Sequence, residues 1–374
     1  MSTGYQHAGV NIRLGDEASR ILYEAARQTW SNRSGRLGEV ITPFDDFTGI
    51  RMIDIGSLPP GTLMAMGFDG VGTKVEIAER TAKHDTVAYD LFAMVCDDAV
   101  IRGGEPILVG TVLDVNTLGG EEHSYLDFIR ALAQGYVNAA QEAGVAVING
   151  ELAELGARVQ GFGPFNYNWC AGVVWFAQRE RMFTGFEIEP GDALVGLREQ
   201  GFRSNGLSLV RSILSTHLGD AWQTRSWNEK KIADWVLTPS RIYTKPVAAM
   251  FGGVEGEPRA HLHGVAHITG GGVPGKLGRI LKPRNLGAHL DNLFPPGEFV
   301  LYCQELGSVP DNEAYRTWNM GQGMIIATPK PEEVIAVANE HEVETRIVGT
   351  VTGTPGITLV SRGVFQNGKT LKFI

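Results

Sequence analysis

Phe68-Asp69-Gly70-Val71-Gly72-Thr73-Lys74 is the stretch on which the reading of this chain turns. Residues 62–68 form a short apolar run that reads as a β-strand, and it ends abruptly in an acid, two glycines and a lysine. Glycines have no Cβ and let backbone come close to a ligand's charged oxygens. A carboxylate suits a divalent cation and a lysine supplies a point charge for phosphate, which makes Asp69 and Lys74 candidates for those roles. Taken alone, the same string is also an ordinary Asp-Gly turn with a solvated lysine.

Outward from this loop, the 374 residues exceed the size at which one core usually suffices, so two domains are expected. A hydrophobic content of 43% with 20% charged residues is that of a soluble globular protein. The net charge of −9 argues against a nucleic-acid binder. Any phosphate-bearing ligand must then be held by local dipoles, a metal and a few basic residues. No apolar run reaches transmembrane length, and residues 1–20 lack the apolar centre of a signal peptide. Cys96, Cys170 and Cys303 are widely spaced, in no metal-ligand pattern, and read as reduced thiols of a cytoplasmic protein.

Periodicity places a helix over 16–28 and a second over 85–102, where Val87, Leu91, Met94, Val95 and Ile101 mark the buried side. On the second helix Asp90 and Asp97 share a face and Asp98 is turned away from it. Residues 107–115 read as a strand, 121–143 as a long helix stopped by Gly144, and 145–148 as a short strand running into a ligand-capable loop at Asn149-Gly150-Glu151. A strand over 169–177 closes this first unit, and Pro190-Gly191-Asp192 marks the entry to a second. There, strands over 193–197 and 266–268 lead into Ser204-Asn205-Gly206 and Thr269-Gly270-Gly271-Gly272, followed by helices over 207–214 and 276–281. Both loops offer free backbone N–H groups to an anion. Strands over 324–327 and 346–351 flank a helix over 331–339.

With these loops in view, the sequence resembles the aminoimidazole ribonucleotide synthetase (phosphoribosylformylglycinamidine cyclo-ligase) family. The likeness spans roughly residues 5–351 and rests on several motifs in the family's order. They are Tyr5-Gln6-His7-Ala8-Gly9-Val10-Asn11, Asp69 to Lys74, His84-Asp85-Thr86 with Asp90-Leu91, and Cys96-Asp97-Asp98 with Gly104-Glu105-Pro106. Gly150-Glu151 with Ala153-Glu154 follows, then Ser204-Asn205-Gly206, Leu237 to Tyr243, Ala266 to Gly272, and Tyr315 to Gly321. The resemblance implies a two-domain mixed α/β fold, with an ATP- and metal-binding N-terminal domain over 1–185 that dimerises through its sheet. A substrate-binding α/β domain over 186–374 completes it.

The implied reaction is an ATP-dependent ring closure. The formyl amide oxygen of formylglycinamidine ribonucleotide takes the γ-phosphoryl group, and the substrate's amidine nitrogen then expels phosphate to close the imidazole. On this reading Asp69, Asp98 and Glu151 are the Mg²⁺ ligands, with Asp97 as second choice, and a monovalent cation is a further candidate. Gly70, Gly72, Thr73 and Lys74 approach the ATP phosphates. Asp69, Lys74 and His267 form the catalytic set, although His267 reads equally as a histidine satisfying backbone groups at a strand end. Ser204, Asn205, Thr269, Gly270, Gly271, Gly272 and Arg241 bind the ribonucleotide; Arg241 and Arg316 are anion clamps or structural ion pairs.

Arg203 stands where the family usually has His, Leu152 where it has Thr, and the glycine-rich stretch between Asn32 and Ile50 is reduced to Ser34 to Gly38 and Phe47 to Ile50. No lysine precedes Lys74, so Arg33 or Arg36 is expected to contact ATP in its place. Two other readings compete: a related phosphoryl-transfer enzyme of the thiamine monophosphate kinase kind, and a catalytically idle nucleotide-binding paralogue.

Overall fold

The computed structural model describes residues 11–42, 51–56, 58–120 and 122–373. The motif over 5–10, the stretch 47–50 and the expected helix start at Glu121 lie outside them. Helix α1 (Ile12–Trp30) opens on Asn11, whose side chain accepts the Leu14 N–H at 3.2 Å, an N-cap of the ordinary kind. A small antiparallel hairpin, β1 (Glu39–Ile41) and β2 (Met52–Asp54), follows. Strand β3 (Thr62–Gly70) then leads through a single 3₁₀ turn into helices α2 (Val75–Thr81) and α3 (Val87–Val100). Next come β4 (Gly104–Val115), α4 (Leu126–Ala143), β5 (Ala146–Glu154) and β6 (Tyr167–Gln178).

These strands make a four-stranded sheet in the order β3-β6-β4-β5, antiparallel except for the β4–β5 pair. Side chains alternate across it. Val109, Leu113, Trp169, Ala171 and Val173 are buried beneath α3 and α4, whereas Met64, Met66 and Phe68 stand 63%, 56% and 76% exposed on the other face. Helix α4 ends at Gly144, whose left-handed φ of 73° is the stop that the sequence signals. One expectation is corrected: Asn149-Gly150-Glu151 is not a loop but the middle of β5, paired with Gly110, Thr111 and Val112. The parallel ladder extends the strand beyond its apolar run because β4 supplies backbone partners whatever side chains lie opposite.

The second half begins with β7 (Ala193–Arg198) and α5 (Leu207–Leu218). A two-residue-per-strand hairpin, β8 (Ser226–Trp227) and β9 (Lys230–Lys231), precedes α6 (Ile232–Val236) and α7 (Thr244–Phe251). Strand β10 (Gly264–His267) hands over to α8 (Gly272–Leu281), followed by β11 (Gly287–Leu290), α9 (Glu298–Leu306) and α10 (Asp311–Thr317). The end of the chain supplies β12 (Gln322–Thr328), α11 (Pro331–Glu340), β13 (Thr345–Thr352), β14 (Gly356–Val360) and β15 (Thr370–Phe373). A seven-stranded sheet results, ordered β10-β12-β7-β13-β11-β14-β15. Among the described residues no helix is long and apolar enough to cross a membrane.

Charged groups, not only apolar ones, join the two halves. Lys74 Nζ donates to Asp90 Oδ1 at 2.8 Å and to the Thr238 carbonyl at 2.6 Å, and Ser240 Oγ reaches the same Asp90 oxygen at 2.5 Å. Asp97 Oδ1 accepts the Tyr243 N–H at 3.0 Å and the Thr244 hydroxyl at 2.9 Å. Glu105 takes Arg33 and Arg36, each at 2.9 Å, and the Val254 N–H at 2.9 Å. Helix α3 is therefore tied through Asp90 and Asp97 to the 240–244 segment of the second half.

Candidate active site

Asp69 lies at the end of β3 and Asp98 in the last turn of α3. Burial, and then the neighbouring Asp98, push the Asp69 carboxyl above its ordinary range, while the Gly70 N–H at 2.7 Å and Lys276 pull the other way. The Asp98 carboxyl is half-exposed. Burial pushes it up, but a hydrogen bond with His267 at 2.7 Å, together with Lys276 and Arg203, holds it below the usual carboxylate range. Lys276, in the first turns of α8, is the cation that both acids see, and burial followed by Arg279 lowers its own pKa. A small cleft beside Asp98 is lined by Arg102, Lys276 and Arg279. Two neighbouring carboxylates that share Lys276, one of them in a cleft with Arg102 and Arg279, suit an anionic ligand bridged by a divalent ion.

Two loops adjoin these groups. Thr269-Gly270-Gly271 runs from β10 into α8, with left-handed φ at Gly271 (95°) and Gly272 (58°). A Cβ on Gly272 would run into the Tyr315 carbonyl oxygen, so only glycine lets the helix begin there. Ser204-Asn205-Gly206 leads into α5, and the Asn205 amide lies 3.5 Å from where a Cβ on Gly270 would stand. Ser204 Oγ and Asn205 Oδ1 are both buried with no hydrogen-bond partner among the described residues. The Ser204 hydroxyl beside a helix N-terminus is a donor that a bound anion would satisfy, whereas Asn205 Oδ1 calls for a donor such as a sugar hydroxyl.

Several expected site residues stand elsewhere or are occupied. Lys74 is fully buried, and its ammonium is committed to Asp90 and Thr238, so it presents no charge to a phosphate. Gly72 and Thr73 are exposed on the turn beside it, and a Cβ on Gly70 would stand 3.3 Å from Cys170 Sγ, which gives that glycine a packing reason. Glu151 does not join Asp69 and Asp98. It lies on β5, at the opposite edge of the sheet from β3, and its pairing with Val112 turns it to the other face from Asp69. Among the described residues no three His, Cys, Asp or Glu side chains converge to hold a metal ion.

His267 is fully buried, with Nδ1 against Asp98 and Nε2 against Arg203 at 2.7 Å, so neither nitrogen is free for proton transfer with a substrate. Asp97 is buried among Arg203, Tyr243 and Thr244; desolvation pushes its carboxyl up, to about 7, against those donors. Arg241 donates to the Glu342 carbonyl and lines a separate hollow with Tyr89, Glu142 and Arg198, away from Thr269. Arg316 lies over the Phe373 ring at 5.3 Å. Arg33 is sealed in by Glu105, the Leu37 carbonyl and the Gly144 carbonyl, which removes it as an ATP contact, while Arg36 shares Glu105 from a side chain that stays exposed. Glu154 accepts the Leu118 N–H at 2.7 Å and the Asn11 N–H at 3.3 Å, a structural clamp. The residue that sequence reasoning missed is Lys276, whose signal was its place one turn into the helix that follows the triple glycine. A larger cleft lined by Phe183, Phe251, Arg259, His261 and His263 contains none of these groups.

The chain matches the family models "AIR synthase related protein, N-terminal domain" over residues 50–174 and "AIR synthase related protein, C-terminal domain" over 189–362. These matches define its class. It is 34% identical over 362 residues to the phosphoribosylformylglycinamidine cyclo-ligase of Pyrococcus furiosus, covering 96% of this chain and 98% of that one. It is 33% identical to the cyclo-ligase of Shouchella clausii, covering 96% and 99%. The chain belongs to the phosphoribosylformylglycinamidine cyclo-ligase family. Among solved structures it shares the fold of hydrogenase maturation protein HypE in complex with ATP, at 12% identity and a TM-score of 0.58 over 86% of this chain and 88% of that one. Thiamine-monophosphate kinase from Stenotrophomonas maltophilia shares it at 13% identity and a TM-score of 0.57, covering 93% and 97%.

Proposed function

We propose that this chain closes formylglycinamidine ribonucleotide to aminoimidazole ribonucleotide in an ATP-dependent reaction of purine biosynthesis, releasing ADP and phosphate. Near-full-length identity to relatives named for that cyclo-ligase carries the reading. Phosphoryl transfer to the formyl oxygen, followed by attack of the amidine nitrogen, calls for positioning and charge neutralisation more than for a protein nucleophile. Asp69 and Asp98 fit Mg²⁺, which is commonly held by one or two carboxylates plus substrate phosphates. When bound, the ion supplies charge neutralisation at the transferring phosphoryl group. Lys276 offsets the charge of the two acids and of a phosphate between them. The N–H groups of the Thr269 to Gly272 loop, with Ser204 and Asn205, hold the anionic end of the ribonucleotide and orient it toward Asp98.

The open face of the four-stranded sheet, with Met64, Met66, Phe68 and Val112 exposed, supports a second copy of the chain as its cover. A cytoplasmic setting goes with the reading. Purified protein supplied with Mg-ATP and formylglycinamidine ribonucleotide is the test: aminoimidazole ribonucleotide and ADP are expected in equal amounts. Phosphate release without the imidazole would refute the ring-closing assignment. Asp69→Asn and Asp98→Asn are each expected to lower turnover by at least a hundredfold with the circular-dichroism spectrum unchanged.

A further inference from the structure

Arg203 is the most constrained side chain beside the site. Its backbone adopts a left-handed φ of 59°, costly for a residue with a Cβ, and its side chain is 1% exposed. One guanidinium nitrogen donates to Glu199 at 2.9 Å and to the Arg241 carbonyl at 3.1 Å. A second, Nη2, lies 3.3 Å from Asp97 and 2.7 Å from His267 Nε2. The Tyr243 ring lies against the guanidinium at 5.4 Å. Two carboxylates and a ring thus fix where this group points.

A guanidinium has donors only. The contact at 2.7 Å therefore requires a lone pair on His267 Nε2, and the ring proton must sit on Nδ1. Nδ1 in turn faces Asp98 Oδ1 at 2.7 Å and donates to it. We propose that Arg203 is a positioning residue: it locks His267 as the Nδ1–H tautomer, and through that proton it fixes the half-exposed Asp98 carboxylate in the orientation it presents to the site. The order of donation is one-way, from Arg203 to His267 to Asp98. His267 is then a strut, and it engages Asp98 through Oδ1 alone. Partners of this kind, one step removed from the ligand, commonly change metal affinity 10- to 100-fold when removed.

The tautomer stands on the contacts alone; its consequence for Mg²⁺ rests on the reading of Asp98 given above. Imidazole ¹⁵N spectra of the whole protein at pH 7.5, with the His267 signals assigned by their loss in His267→Asn, test the first. A protonated Nδ1 and an unprotonated Nε2 are expected. An Nε2–H tautomer, a tautomer mixture or a doubly protonated ring would overturn the proposal. Arg203→Lys keeps a donor-only group and should preserve the same ¹⁵N pattern, whereas Arg203→Met, where it folds, should give a mixture of tautomers; an unchanged pattern in Arg203→Met also overturns it. For the second, His267→Phe should raise the Mg²⁺ concentration for half-maximal rate about tenfold or more, and an unchanged value would detach Asp98 from the strut. Failure of the ring-closure assay with the wild-type protein would count against the function and leave the ¹⁵N result standing.

Discussion

Lys74 shows how a residue's type and its neighbours in sequence can mislead. A lysine after Asp-Gly-Val-Gly-Thr reads as a phosphate ligand, yet its partners are Asp90 and the Thr238 carbonyl, the latter 164 positions away. Removing one partner of a buried pair costs about 3–5 kcal/mol, because the other charge is left unpaired. Lys74→Met is accordingly expected to lower unfolding stability by that amount in urea titration, and a loss below about 1 kcal/mol would mean that Asp90 finds another partner. His84 makes a second residue-scale prediction. It is packed among Phe128, Phe165 and Tyr167, and burial lowers its pKa from 6.5 to about 4. Near pH 7 both folded and unfolded forms are neutral there. As pH falls through 6.5 the unfolded chain takes up a proton that the folded one refuses, so stability drops until about pH 4, by about 3 kcal/mol in all. The difference in stability between wild type and His84→Phe, followed from pH 7 to pH 4, should show this slope; parallel curves would remove His84 as its source.

At the scale of elements, periodicity carried far. The helices over Val87–Val100 and Leu126–Ala143 and the strands over Gly104–Val115 and Tyr167–Gln178 fall where apolar spacing put them, within a few residues. Helices α9 and α10 and the β14–β15 hairpin passed unread, since short elements that pack on several sides leave no clear stripe. The acid pair and the glycine loops were legible as residue types. Glu151 was not, because its separation from Asp69 depends on strand order, which no local spacing encodes. Loop geometry gives the prediction here. Gly272→Ala must displace either the Tyr315 carbonyl or the start of α8, at a cost of about 1–3 kcal/mol. The Michaelis constant for the ribonucleotide should rise more than that for ATP; equal changes in both would mean that the α8 loop does not hold the ribonucleotide.

For the molecule as a whole, the open sheet face is the feature that composition concealed. Alternation along β3 exposes Met64, Met66 and Phe68 together, a grouping that a lone soluble chain has reason to avoid. The wild type is expected to sediment as a dimer, and Met66→Glu with Phe68→Glu should leave a monomer in sedimentation velocity. A wild-type monomer at micromolar concentration would dismiss the face as an interface.

The buried charges on and beside α3 have a thermodynamic meaning beyond position. Lys74 with the Thr238 carbonyl, Ser240 with Asp90, Arg203 with Asp97, and Glu105 with the Val254 amide all span the boundary between the two halves, so neither half can melt without stranding charge or polar groups of the other. Two bodies of this size joined by a pliable hinge would unfold in separate steps. Here the seam couples them, and a calorimeter should record one heat-absorption peak for both domains.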